Sequence, residues 1–136
     1  MASQDLTMLA GLTDESSSYF STITGEDMES RKTVFNAVQS AEPIANYVGK
    51  TISIANIIVQ RVEVTSENGE VDVTPRVIFL DDKGKAYAGL STGLLRSAEN
   101  ILHFLGDPSK WDEPVKVVVS EKRGRRGFRF YTLDLA

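Results

Sequence analysis

Five cations, Lys122, Arg123, Arg125, Arg126 and Arg129, lie within eight residues around Gly124 and Gly127. The chain then runs directly into Phe128, Phe130 and Tyr131. Flexible cationic side chains neutralise phosphate, and glycines let backbone N–H groups approach an anion. Aromatic faces stack on nucleobases without regard to sequence. Strand alternation places Phe128, Phe130 and Thr132 on one face, and Arg129, Tyr131, Leu133 and Leu135 on the other. Leu133 and Leu135 read as core, which leaves Phe128 and Phe130 as the more open aromatics. The competing reading is a solvated hairpin tip, since clustered like charge on a loop is often only solvation.

This basic cluster sits in a chain whose formal net charge is −4. Residues 1–30 hold six acids and no Lys or Arg, whereas residues 31–136 hold 15 bases against 13 acids. The expected organisation is therefore an acidic, flexible segment over 1–30 and a binding domain over 31–136. With 136 residues and no cysteine, the chain is one domain's worth, without disulfide, thiol nucleophile or Cys-based zinc site. The start MASQDLTMLAGL lacks the basic head and long apolar run of a signal peptide, so a soluble intracellular protein without membrane contact is expected.

Catalytic chemistry finds little support. His103 is the sole histidine, with no serine or carboxylate constellation near it in sequence. Asp81-Asp82-Lys83-Gly84 reads as turn chemistry, not a metal site. No phosphate-binding loop, dinucleotide fingerprint or HExxH is present. The expectation is a non-enzyme with no cofactor and no metal. Trp111 reads as a packing anchor.

The elements that must position the cluster follow from periodicity. TVFNAVQ, 33–39, reads as a short strand, and AEPIANYVGK as a helical turn or loop. KTISIANIIVQRVEVT, 50–65, is one long strand whose inward alternation slips near Ala55-Asn56, the mark of a β-bulge. Asn68-Gly69 signals a hairpin into a second strand at about 70–80. KAYAGL gives a third strand. Ser91 or Thr92 caps a helix whose Leu94, Leu95, Ala98, Ile101, Leu102 and Leu105 share one face. Val115 to Glu121 and Phe128 to Leu135 are the last two strands.

Strand, strand, strand, helix, strand, strand is the order of the OB-fold, a partly open five-stranded barrel with a helix between strands 3 and 4. The expected class is therefore all-β with one helix, plus an N-terminal extension. OB-folds commonly bind oligonucleotides on strands 2 and 3 and on the loops joining strands 1–2 and 4–5. Arg76 and Tyr87, on strands 2 and 3, are candidates for that face. Glu67 and Glu70 give the strand 1–2 loop the wrong sign for phosphate. Arg126-Gly127-Phe128-Arg129-Phe130 half-matches an RRM motif, but the element order excludes that fold.

Asp82-Lys83-Gly84, Tyr87-Ala88, Ser91-Thr92, Val115 to Val119, Arg123 to Gly127 and Tyr131 to Leu135 together resemble the single-stranded DNA-binding proteins of tailed bacteriophages of Gram-positive hosts. The resemblance covers roughly residues 31–136. It implies protection of single-stranded DNA with little sequence preference during phage DNA replication, in the cytoplasm of an infected bacterium. Single-stranded DNA is the implied partner, with self-association along it and phage replication proteins as further expectations. It places binding around strand 5 and its hairpin. The expected site is then Arg76, Tyr87, Lys122, Arg123, Arg125, Arg126, Phe128, Arg129 and Phe130. The chain departs from bacterial proteins of this activity in ending on a strand, Leu-Asp-Leu-Ala, with its acidic segment at the other end. Alternatives are a protein-binding module or phage accessory protein whose hairpin meets an acidic partner, and an RNA binder.

Overall fold

The computed structural model describes residues 19–65, 67–124, 127 and 129–136. These form one curled, open sheet: β1 Tyr19–Ser21, β2 Glu42–Pro43, β3 Thr51–Thr65, β4 Val71–Asp81, β5 Ala86–Gly89, β6 Val115–Arg123 and β7 Arg129–Leu135. The order across the sheet is β2-β5-β4-β3-β6-β7, with β1 paired to β3. Two α-helices, α1 Met28–Ser40 and α2 Thr92–Leu105, pack on this half-barrel, which is consistent with an OB-like arrangement. Single 3₁₀ turns occupy Ile44–Tyr47 and Pro108–Lys110.

β3 organises the curl. Its first residues pair with β6 through Ile54↔Val115, and its remainder pairs with β4. The register shifts between Ile54 and Asn56, where alternation breaks in the sequence. The extra residue lets Ile52, Ile54, Ile57 and Val59 all point into the inner core, each at most 3% exposed. The N-terminal approach secures this bulge. Thr22 Oγ1 accepts the Ile57 N–H and donates to Asn56 Oδ1, both at 2.9 Å. Residues 19–30 thus supply β1, the bulge clamp and the first turn of α1, and Phe20 belongs to the inner core.

The expected strand at 33–39 is instead part of α1, so the class is mostly β with two helices. Asp27 caps this helix, accepting the Ser30 N–H at 3.2 Å. Val34, Ala37, Val38 and Ala41 recur at helical spacing and lie on Ile58, Ile78, Leu80, Ala86 and Ala88, the outer face of the sheet. Burying that stripe outweighs the strand preference of Thr33, Val34 and Phe35. It also accounts for the unbroken apolar runs Ile57-Ile58-Val59 and Val77-Ile78-Phe79-Leu80, which are buried on both faces.

α2 seals the opposite end. Ser91 caps it, and Leu94, Ala98, Ile101 and Leu102 enter the inner core. Its flank lies along the free edge of β7. Ser91 Oγ accepts the Tyr131 N–H and donates to the Tyr131 carbonyl, both at 3.2 Å. Ser97 Oγ accepts the Leu133 N–H at 3.0 Å. Two serines thereby satisfy an edge strand that would otherwise offer unpaired backbone groups. Trp111 packs against the inner core and donates its indole N–H to the Leu105 carbonyl at 2.9 Å.

Candidate nucleic-acid interface

The β6–β7 ladder fixes which hairpin side chains share a face. Lys122 stands opposite Phe130, and Ser120 opposite Thr132. Tyr131 and Leu133, of the other parity, pack against the inner core. Phe130, Thr132 and Lys122 therefore point outward, beside α2. Leu135 is not core: it is 61% exposed at the end of β7, beside a shallow hollow with Phe104 and Leu105.

Between α2 and the outward face of β7 lies an open groove of about 420 Å³. One wall carries Thr92, Arg96 and Asn100, spaced at i, i+4 and i+8 on α2. The other carries Lys122, Phe130, Thr132 and Asp134. Gly93 sets the width: a Cβ there would lie 2.5 Å from the Tyr131 carbonyl oxygen and 3.0 Å from Phe130 Cδ2. Any side chain at that position forces helix and strand apart.

The groove combines an aromatic face with cations. The half-buried Phe130 ring offers a face for stacking, and Lys122 and Arg96 offer exposed cations. Neither cation forms an ion pair among the described residues. The Thr132 hydroxyl is buried in the wall without a hydrogen-bond partner among the described residues. Asp134, the acid in the lining, accepts the Ser120 hydroxyl at 2.8 Å.

The remaining sequence candidates are dispersed. Arg123 is exposed at the base of the hairpin. Arg129 pairs with Glu121 at 3.4 Å, on the face away from Phe130. Arg125, Arg126 and Phe128 lie outside the described residues. Arg76 is on the outer face beneath α1, donating to the Val38 carbonyl at 3.1 Å and the Gln60 amide oxygen at 3.3 Å. Tyr87 is in the inner core and 7% exposed. Thr92, Arg96 and Asn100 are groove residues that the apolar reading of α2 passed over. Their polar stripe beside the apolar face was the available signal.

Tyr87 meets Tyr47 edge-to-face at 4.7 Å, and Lys85 lies over both rings. Glu42 accepts the Tyr47 hydroxyl and pairs with Lys85 at 3.1 Å. These contacts, Tyr47 first, hold the Glu42 carboxyl below its usual range and raise the Lys85 ammonium. Burial, reinforced by the Asp81 carboxylate, pushes the Tyr87 phenol above the ordinary tyrosine range. A raised phenol contributes stability that is complete below the unfolded value of about 10 and lost as pH rises above it. Tyr87→Phe should therefore remove part of the alkaline loss of stability, measured as the change in melting temperature between pH 8 and pH 11. An identical alkaline decline in the variant would assign that loss to other groups.

Among the described residues, no cluster of His, Cys, Asp and Glu could hold a metal ion, and no helix is long and apolar enough to cross a membrane. A model of the phage single-stranded DNA-binding protein family matches residues 13–136. No curated protein and no solved structure matches the chain.

Proposed function

The chain belongs to the phage single-stranded DNA-binding proteins, non-enzymatic DNA binders, and from that premise we propose that it holds single strands in the α2–β7 groove without sequence preference. In this reading β3, β4, β5, β6 and β7 are the five strands of an OB barrel, and α1 and β1 are additions to it. The protein covers single-stranded DNA during phage replication, in the cytoplasm of the infected host. The observation that carries the reading is Phe130, half-buried in an open groove that also presents Lys122 and Arg96. Cations draw the phosphates without selecting among bases, and a phenyl face accepts any base. Arg123, exposed at the base of the hairpin, adds a further cation for the phosphates.

Titration of a labelled oligo-dT of about 30 nucleotides, followed by fluorescence anisotropy, tests this reading. The single strand should bind more tightly than duplex, with affinity falling as salt rises. Phe130→Ala should weaken binding about 5- to 150-fold, the range for loss of one base–aromatic stack. Its melting temperature should change little, because the ring is only half buried. Equal affinity for duplex, or a Phe130→Ala protein that binds like the parent, would sink the assignment.

A further inference from the structure

A second groove, sharing no lining residue with the first, lies between α1 and β3, with a volume of about 350 Å³. Ile23, Arg31, Val34, Phe35, Gln60 and Arg61 line it. The inner flank of α1 is spent on the sheet, yet Phe35 is 62% exposed and Met28, seven residues earlier, 63%. Arg31 and Lys32 stand between them, both exposed. Glu29 is on the far flank, about 160° round the helix from Arg31. Of the acids at the helix start, Asp27 is occupied in capping Ser30, and Glu26 lines an adjoining hollow that Arg31 also borders. Under the groove Arg76 donates to two neutral acceptors, the Val38 carbonyl and the Gln60 amide oxygen, and forms no ion pair among the described residues. As Phe130 stands with Lys122 and Arg96 in the α2–β7 groove, Phe35 here stands with Arg31.

We propose that this α1–β3 groove is a second contact for single-stranded DNA, with a base on Phe35 and a phosphate on Arg31. The inference rests on the reading of the chain as a single-strand binder and extends it: one protein engages two separated stretches of a strand. A polyanion is the fitting occupant because exposed Arg31 and Lys32 flank the exposed Phe35 ring, whereas Glu29, the acidic residue of α1, faces away. Occupation by a second copy of the chain, or by its own residues 1–18, is what the test must separate.

Affinities for oligo-dT of about 8 and about 30 nucleotides, spanning one groove or both, separate these cases. Phe35→Ala should leave the short oligonucleotide unaffected and weaken the long one about 10-fold, within the range for one lost stack. Arg31→Gln should flatten the salt dependence of the long oligonucleotide by about 0.7 in log–log slope, one phosphate contact. Both residues are exposed, so melting temperatures should hold. Unchanged long-oligonucleotide binding in both variants would overturn the proposal. So would a change in oligomeric state without a change in affinity, which would give the groove to a second copy. Deletion of residues 1–18 that alone abolishes the effect of Phe35→Ala would give it to that segment. If the parent protein failed to bind even the short oligonucleotide, or bound it with no dependence on Phe130, the failure would lie with the α2–β7 reading.

Discussion

Reversing both groove cations, Arg96→Glu with Lys122→Glu, should lower affinity for oligo-dT about 100-fold at low salt. A unit charge about 4 Å from a phosphate in water is worth about 1 kcal/mol, and reversal replaces each attraction with a repulsion. Two such changes, discounted for solvent relaxation at exposed sites, come to about 2–3 kcal/mol. The salt dependence is the more diagnostic readout. Losing two phosphate contacts should flatten the log–log slope by about 1.4. Both side chains are exposed and form no ion pair among the described residues, so the melting temperature should hold. Arg129→Gln is the control, because Arg129 pairs with Glu121 away from the groove. If that substitution matched the double reversal in both affinity and slope, the phosphate path would run over the other face of the hairpin.

Gly93→Val should damage fold and binding together. The Cβ of any residue at this position meets the Tyr131 carbonyl oxygen at 2.5 Å, Phe130 Cδ2 at 3.0 Å and Thr132 Cγ2 at 3.2 Å. The closest of these atoms is backbone, held by Ser91 from the helix and by β6 from the other side. It cannot step aside without breaking those bonds. Overpacking of this kind costs about 1–3 kcal/mol, whereas the helix-propensity gain of valine over glycine is only about 0.4 kcal/mol. The clash wins, and the melting temperature should fall by several degrees. Affinity should fall too, because the same displacement moves Phe130. A Gly93→Val protein that melted and bound like the parent would mean that α2 does not lie against β7 at this distance.

What the sequence revealed, and what it hid, follows from where each signal is local. The bulge at Ala55-Asn56 was legible because one strand's own alternation records it. The shared face of Phe130 and Thr132, opposite to that of Tyr131 and Leu133, was legible for the same reason. α1 was hidden because its buried stripe, Val34, Ala37, Val38 and Ala41, has meaning only against a sheet whose outer face is also apolar. Exposed Phe35, in the middle of the helix, blurred that stripe further. Tyr87 shows the limit of strand parity: alternation says which residues share a face, not which face the rest of the chain covers. The second wall of the groove was likewise out of reach. Nothing along the chain says that the Arg96–Asn100 flank of α2 docks on the edge of β7, a placement made by Ser91, Gly93 and Ser97 meeting backbone far away in sequence.

The most direct measurement is photocrosslinking of an oligo-dT carrying 5-bromodeoxyuridine at successive positions, with the modified peptides identified by mass spectrometry. A strand seated in the α2–β7 groove should crosslink to the peptide containing Phe130. The crosslink should fade in Phe130→Ala and in the Arg96, Lys122 double variant. Efficient crosslinking confined to other parts of the chain, with none between residues 127 and 135, would contradict the account.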